Sequence, residues 1–271
     1  TEYLSQMKAR LDEDLFVIRS NALIRLERFE QLETELENAP IVHTRWLLTV
    51  EARIQSMSGN IKEAETTLDR LYAFLENDTI LLRNTVSYFE KSKDFHCFFY
   101  FLKKIKKITI HKKYALNKLL IYGSSSATLN ELIEWSNELV KMDDSNVKIA
   151  QANLYFRLLN PLLQKNSIEL NDLIKTSTGM NLEHNNFESK INMALAHLRN
   201  GSDDLALSAL GKNNEWLNWE NKRPAWKWII SKILEKNQID RVSFSQENLF
   251  KKMGRAERES LEEILPNIVQ L

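Results

Sequence analysis

The sequence predicts an all-α protein made of stacked helical hairpins, and three observations support that fold class. The chain of 271 residues contains 6 Gly and 4 Pro, too few for the many tight turns of a β-sandwich or barrel. Leu, Glu, Lys and Ala are abundant, and these residues lose little rotamer freedom in a helix. A turn-like segment also recurs at intervals of roughly 34 residues, a period typical of helical-repeat proteins.

The recurring segment is clearest at Gly59. An apolar residue, Ile61, follows two positions later, and a small residue, Ala64, follows five positions later. The same layout returns at Gly201. Degenerate copies begin at Glu27, Lys93 and Asn237. The first three turns therefore start 32 and 34 residues apart, and a helix is expected on each side of every turn.

The residues seven positions before these turns are mostly small, as expected where the two helices of a hairpin cross closely. They are Ser20, Ala52, Val86 and Ala194. Apolar residues at helical spacing flank the turns, as at Val50 and Ile54. One hairpin of this kind cannot bury its apolar face alone, so neighbouring hairpins are expected to stack.

These positions resemble the tetratricopeptide repeat, in which two antiparallel helices meet at a Gly-containing turn. The matching residues are Gly59, Ile61 and Ala64 in the N-terminal part of the chain and Trp226, Ile239 and Val242 near the C-terminus. The resemblance covers 13–105 and 187–246. It implies a right-handed superhelix of about six stacked antiparallel hairpins, that is, a TPR-like α-α superhelix.

The whole chain, 1–271, is expected to form one such helical-repeat domain. The polar loops at 123–126 and 142–146 are the candidate positions of a bend in the stack. A final amphipathic helix near 255–269 carries apolar residues at helical spacing, and it is expected to cap the stack.

Motifs for catalysis and for cofactor binding are absent from the sequence. It has no Gly-x-x-x-x-Gly-Lys-Ser/Thr loop, no Gly-x-Gly-x-x-Gly turn, no Gly-x-Ser-x-Gly elbow and no His-Glu-x-x-His helix. The five His residues are scattered, and Cys97 is the single cysteine. We therefore expect no enzyme activity, no cofactor and no metal site.

The predicted function is that of a protein- or peptide-binding scaffold or adaptor. Two other hypotheses stay open: a peptide-gated regulatory module of a larger chain, and an enzyme built on an α-solenoid. The first would need an attached output domain. The second would need acid and base groups that converge on a cleft.

The resemblance also predicts which residues line the binding groove, because the first helix of each hairpin faces the concave side of a tetratricopeptide stack. Six residues are predicted there: Asn21, Thr49, Arg53, Arg83, Ser87 and Lys227. Arginine binds carboxylates through two parallel hydrogen bonds, so Arg53 and Arg83 favour an acidic or carboxylate-bearing ligand.

Two further surfaces are candidates for partner binding. One is a run of lysines with no acid among them: Lys103, Lys104, Lys106, Lys107, Lys112 and Lys113. This lysine cluster is interpreted as a solvated helix end, as a contact for an acidic protein partner, or as a contact for nucleic acid or lipid. The other surface consists of Trp216 and Trp219, which lie in a polar segment and are candidate anchors for a partner.

Charge and hydropathy indicate which kinds of partner and which cellular compartment to expect. The 37 basic and 37 acidic residues cancel, so no general attraction to nucleic acid or to anionic lipid is expected. No apolar run approaches the roughly 18–20 residues that span a bilayer, and no membrane insertion is expected. The single cysteine fits a reducing cytoplasm, and a chain that starts at Thr1 rather than Met is expected to be trimmed.

Overall fold

The computed structural model describes residues 15–26, 28–37, 44–123, 127–211, 223–239 and 246–265. These residues form α-helices joined by short turns and contain no β-strand, so the all-α prediction is confirmed for the described part of the chain. They fall into two compact units, divided between Ala115 and Leu116, here called unit 1 and unit 2. None of the described helices combines the length and the hydropathy that a membrane span requires.

Unit 1 is built from helices that pack against their neighbours along the chain. Its helices are α1 (15–25), α2 (Phe29–Glu37), α3 (Thr44–Met57), α4 (Ile61–Leu75), α5 (Thr79–Lys91), α6 (Phe95–Ile105) and the first part of α7 (Thr109–Gly123). The pairs α3/α4 and α5/α6 are the closest packed, and α6 also contacts α3 and α4. The buried face of α1 joins α2 and α3 through an apolar cluster of Leu23, Ile24, Leu32, Val50 and Ile54.

Acidic side chains begin two of these helices. The Asp78 carboxylate accepts hydrogen bonds from the backbone N–H groups of Ile80 and Leu81, at 3.0 and 2.9 Å, at the start of α5. Asp94 accepts one from the N–H of Cys97, at 3.2 Å, at the start of α6. Each carboxylate satisfies donors that have no partner within the helix, which fixes where the helix begins.

The turns that end four of the helices share one backbone geometry. A residue with positive φ stands at each turn: Gly59 (80°), Lys93 (58°), Gly201 (74°) and Gln238 (55°). The residue after it donates its N–H to the carbonyl oxygen five positions back, as Asn60 does to Gln55 at 2.8 Å. Equivalent bonds join Asp94 to Phe89, Ser202 to His197 and Ile239 to Leu234. This is the Schellman arrangement, which satisfies carbonyl groups at a helix C-terminus.

Three turns lie where the repeat pattern predicted them, and the last lies one residue later; the predicted turn residue Glu27 lies outside the described residues. The predicted position was Asn237, whereas the residue with positive φ is Gln238. The Asn237 side chain donates to the carbonyl oxygens of Ile233, at 2.8 Å, and of Asp203, at 3.3 Å. Those bonds hold Asn237 at the end of its own helix and tie it to a neighbouring helix, so the turn begins after it.

The small residues of the repeat pattern are buried. Ser20, Ala52, Val86 and Ala194 have no exposed surface, as the prediction of close helix packing at these positions requires. With the corrected position of the last turn, the equivalent residue is Ser231. It is also small and buried, which supports the corrected register.

Unit 2 holds the remaining helices, beginning with the second part of α7. They are α8 (Leu129–Met142), α9 (Val147–Leu158), α10 (Ile168–His184), α11 (Phe187–Arg199), α12 (Asp203–Leu210), α13 (Pro224–Lys236), α14 (Gln246–Lys252) and α15 (Arg255–Ile264). Sequential neighbours pair as α8/α9, α10/α11, α11/α12 and α13/α14. Helix α15 packs against α8 and α13, which are distant from it in sequence.

The predicted organisation of the chain as one domain over 1–271 stays a prediction. Of the two predicted bend positions, 142–146 joins α8 and α9, and 123–126 lies mainly outside the described residues. The predicted helix near 255–269 corresponds to α15, and 266–269 lie outside the described residues.

Candidate functional site

Five of the six predicted groove residues lie in unit 1, on α1, α3 and α5. Asn21 is on α1, Thr49 and Arg53 are on α3, and Arg83 and Ser87 are on α5. The sixth, Lys227, is half-buried on α13 of unit 2. The structure brings Asn21 and Arg53 into direct contact.

Arg53 is the centre of a buried polar network. Its side chain is 6% exposed, and Nη1 donates to Asn21 Oδ1 at 2.7 Å and to Tyr88 Oη at 2.8 Å. The Tyr88 hydroxyl donates in turn to the same Asn21 oxygen at 2.9 Å. The guanidinium group therefore links α1, α3 and α5 from within unit 1.

Asp94 supplies the negative charge of this network. Its Oδ2 atom lies 4.0 Å from Arg53 Nε, and its Oδ1 atom accepts a hydrogen bond from the Ser56 hydroxyl at 3.2 Å. The same oxygen caps α6. A buried arginine thus faces a buried carboxylate whose other oxygen accepts two hydrogen bonds, which offsets part of the cost of burying both charges.

The hydroxyl group of Thr49 is also used inside the fold. Thr49 is fully buried, and its Oγ1 donates to the carbonyl oxygen of Arg45 at 2.7 Å, one turn earlier in α3. Ser87 is half-buried and Arg83 is exposed. The predicted role of the six groove residues in partner binding stays a prediction.

Arg83 contacts a buried histidine at the start of α7. Its Nε atom donates to His111 Nδ1 at 3.2 Å, and its guanidinium carbon lies 5.3 Å from the centre of the Tyr114 ring. Burial lowers the pKa of His111 below its ordinary value of 6.5, and the positive charge of Arg83 lowers it further. The imidazole is therefore neutral in the folded protein near neutral pH.

We expect His111 to make unit 1 less stable in acid. Because its pKa is lower in the folded state, its contribution to stability is complete above pH 6.5 and is lost as the pH falls through the folded-state pKa. The variant His111→Asn keeps an acceptor for Arg83 and does not titrate. Urea unfolding at a series of pH values should give a smaller loss of stability below pH 6.5 in this variant, and an unchanged loss would contradict the prediction.

The lysine cluster runs from the end of α6 through the turn at Lys106 and Lys107 into the first half of α7. Lys103, Lys107 and Lys113 are exposed, and the others are half-buried. Lys104 is anchored to α4, because its Nζ lies 2.7 Å from Asp69 Oδ1, which also accepts a hydrogen bond from Tyr100. The hydrogen bond that the Lys104 ammonium group donates to Asp69 raises the pKa of Lys104. Binding of an acidic partner by the lysine cluster stays a prediction.

The other predicted surface, Trp216 and Trp219, lies outside the described residues.

A concave pocket of about 330 Å³ lies in unit 2, where α9 meets the starts of α11 and α13. We call it the α9–α11–α13 pocket. Aromatic and amide side chains line it, namely Tyr155, Phe156, Trp226, Gln151, Asn186 and Asn192. Its charged lining residues are Lys148, Glu188 and Arg223. The aromatic rings offer apolar contact area, and the amides offer both donors and acceptors.

The amide groups are positioned by hydrogen bonds to one another. Gln151 Nε2 donates to Asn186 Oδ1 at 3.1 Å, and Asn192 Nδ2 donates to the carbonyl oxygen of Gln151 at 2.9 Å. Asn186 also caps α11 by accepting from the N–H of Ser189 at 2.8 Å. The start of α11 is therefore tied directly to α9, and this wall of the pocket is held in place.

Helix α15 supports the opposite side of the pocket through a buried carboxylate. Tyr155 Oη donates to Glu257 Oε1 at 3.2 Å, and Arg223 Nη2 lies 3.5 Å from the same oxygen. Burial and the nearby negative charge of Glu257 raise the pKa of the Tyr155 hydroxyl well above its ordinary value. Tyr155 is therefore a permanent hydrogen-bond donor, and Glu257 fixes the orientation of Arg223 beside the Trp226 ring.

Sequence reasoning identified Trp226 as a packing residue and did not identify the other lining residues of this pocket. A usable signal was present, because Gln151 and Asn192 are polar residues within the mostly apolar buried faces of α9 and α11. Buried amides need partners, so such positions indicate either an internal network or a ligand. Here Gln151, Asn186 and Asn192 are joined by hydrogen bonds, and all three also line the pocket.

Neither a metal-ligand group nor a similar known protein indicates a function for this chain. Within the described ranges, no group of three or more His, Cys, Asp or Glu side chains is placed to hold a metal ion. The chain matches no protein-family model and none of the curated proteins with which it was compared.

Proposed function

We propose that the chain is a protein- or peptide-binding scaffold whose hairpins stack as a right-handed, tetratricopeptide-like superhelix. The repeated Schellman turns and the paired helices support the stacking. So do the hydrogen bonds of Arg53, which reach partners 32 and 35 residues away, one on the preceding first helix and one on the following first helix. Such spacing is expected when equivalent positions of successive repeats lie side by side.

The observation that carries the binding proposal is the α9–α11–α13 pocket. It is open to solvent, its aromatic side chains provide contact area, and its amide side chains can pair with the N–H and C=O groups of a peptide. Aromatic residues beside a fixed arginine are the composition expected of the strongest contacts in protein interfaces. The pocket therefore fits a peptide segment better than it fits a reaction centre.

Site-specific photo-crosslinking tests the proposal. A photo-reactive amino acid at Ala152, inside the pocket, should give discrete adducts with a binding partner, and Arg223→Ala in the same chain should weaken them. The same amino acid at Lys175 serves as the control, since this side chain is 81% exposed on α10 and outside the pocket lining. Identical adducts from both positions, or none from Ala152, would contradict the proposal.

A second candidate, a peptide-gated regulatory module, is favoured by the contact between Glu257 and the pocket residues Tyr155 and Arg223. Through this contact, α15 is in a position to respond when the pocket is filled. Hydrogen exchange measured with and without bound partner would distinguish the two functions. Protection that changes along α15 favours the regulatory module, and protection that changes only in α9, α11 and α13 favours the scaffold.

A further inference from the structure

Two charged side chains of opposite sign stand at the α9–α11–α13 pocket without an ionic partner. Lys148 and Glu188 are both exposed, and neither forms an ion pair with any residue that the structure describes. The third charged lining residue, Arg223, already lies 3.5 Å from the Glu257 carboxylate. The charges left for a ligand are therefore one cation on α9 and one anion on α11.

The position of Lys148 is not explained by helix stability. It is the second residue of α9, where the positive end of the helix dipole opposes a positive side chain. Glu188 is the second residue of α11, where the dipole favours a negative side chain. A ligand with a negative group near Lys148 would offset the repulsion between the Lys148 charge and the positive end of the α9 dipole.

The remaining surface of the pocket suits a small peptide. At about 330 Å³ the pocket is at the lower end of the range of ligand sites, roughly 300–1,000 Å³. Trp226 is half-buried and provides the main aromatic surface for one side chain, since Tyr155 and Phe156 are only 4% and 3% exposed. Gln151 and Asn186 carry amide groups of the kind that pair with a peptide bond.

We infer that this pocket binds a short peptide with free ends, whose carboxylate pairs with Lys148 and whose ammonium group pairs with Glu188. The peptide's side chain lies against the aromatic residues. This inference rests on the proposed function, because both place a peptide in the same pocket. It goes further by naming the ligand as a zwitterion with two terminal charges.

Calorimetric titration of the full chain with the twenty tripeptides Ala-X-Ala tests the inference. Those that bind are then compared in three forms: free, N-acetylated and C-amidated. Each cap removes one terminal charge, and each should weaken binding about two- to fivefold, because an exposed ion pair contributes about 0.4–1 kcal/mol.

Two variants connect each end of the peptide to one residue. Lys148→Met should weaken binding of the free peptide about two- to fivefold and should leave no difference between the free and amidated forms. Glu188→Gln should weaken binding of the free peptide to the same extent and should leave no difference between the free and acetylated forms. Lys175→Met and Glu63→Gln, which replace exposed residues outside the pocket lining, are the matched controls and should leave all affinities unchanged. Circular dichroism verifies that each variant is folded.

The inference is overturned if no tripeptide binds, if capped and free forms bind equally, or if the controls weaken binding as much as the pocket variants. These failures are separable from failure of the proposed function. If no tripeptide binds while Ala152 still gives partner adducts, the proposed function stands and the zwitterionic ligand is wrong. If Ala152 also gives no adducts, both are wrong.

Discussion

Replacing Arg53 with methionine is expected to lower the free energy of unfolding by about 3 kcal/mol. Breaking a buried ion pair by removing one partner costs about 3–5 kcal/mol, because the other charge stays buried without compensation. The lower value applies here, since Arg53 and Asp94 are 4.0 Å apart and Asp94 keeps two other hydrogen-bond donors. Asn21 and Tyr88 lose a donor as well. Urea unfolding followed by circular dichroism measures the loss.

Two further variants test whether the uncompensated charge of Asp94 causes this loss of stability. Arg70→Met is the control, because Arg70 is 62% exposed and lies 3.9 Å from Glu51, so its loss should cost less than about 1 kcal/mol. Adding Asp94→Asn to Arg53→Met should recover part of the loss, since the uncompensated charge is then absent. If Arg53→Met costs no more than Arg70→Met, the network does not stabilise unit 1.

Replacing Glu257 with leucine is expected to lower the free energy of unfolding by about 2 kcal/mol. The buried Tyr155 hydroxyl would lose its acceptor, and leaving a buried donor unsatisfied costs about 1–3 kcal/mol. Arg223 would lose its counter-charge, but its side chain is 43% exposed and can be hydrated instead. Most of the loss should therefore come from Tyr155, and thermal or urea unfolding measures it.

Substitutions at and near Glu257 test that explanation. Glu257→Gln keeps an acceptor for Tyr155 and should cost less than Glu257→Leu. Adding Tyr155→Phe to Glu257→Leu should recover stability, because the unsatisfied donor is removed. The control, Glu259→Leu, replaces an exposed residue of the same helix that pairs with Arg255. An equal loss in the control would show that α15 tolerates leucine poorly for another reason.

The fold class and the positions of three helix-ending turns could be predicted from the sequence. Glycine adopts positive φ at little cost, so Gly59 and Gly201 mark their turns directly. Lys93 was found only through the spacing from its neighbours, because nothing in a lysine side chain indicates a left-handed residue. The last turn was misplaced by one residue because the spacing of Ile239 and Val242 indicated Asn237, whereas Asn237 ends its helix and uses its side chain to bind two carbonyl groups.

The candidate site could not be predicted to the same extent, because it depends on contacts between distant segments. The repeat pattern placed Arg53 on the helix before the turn at Gly59, and Arg53 lies on α3. It could not reveal that Asn21 and Tyr88 would bind the guanidinium group and bury it. The α9–α11–α13 pocket is assembled from three helices, and its Arg223 is oriented by Glu257, which follows it by more than thirty residues. No local pattern contains that information.

The Arg53 network also bears on how long unit 1 stays folded. Its hydrogen bonds join residues 32, 35 and 67 positions apart, so they can form only after α1, α3 and α5 have come together. Hairpins such as α3/α4 rely on contacts that are close in sequence and can form earlier. Interactions that form after the folding transition state slow unfolding without speeding folding. The network would then lengthen the lifetime of the folded state, because it forms late in folding and must break before unit 1 can unfold.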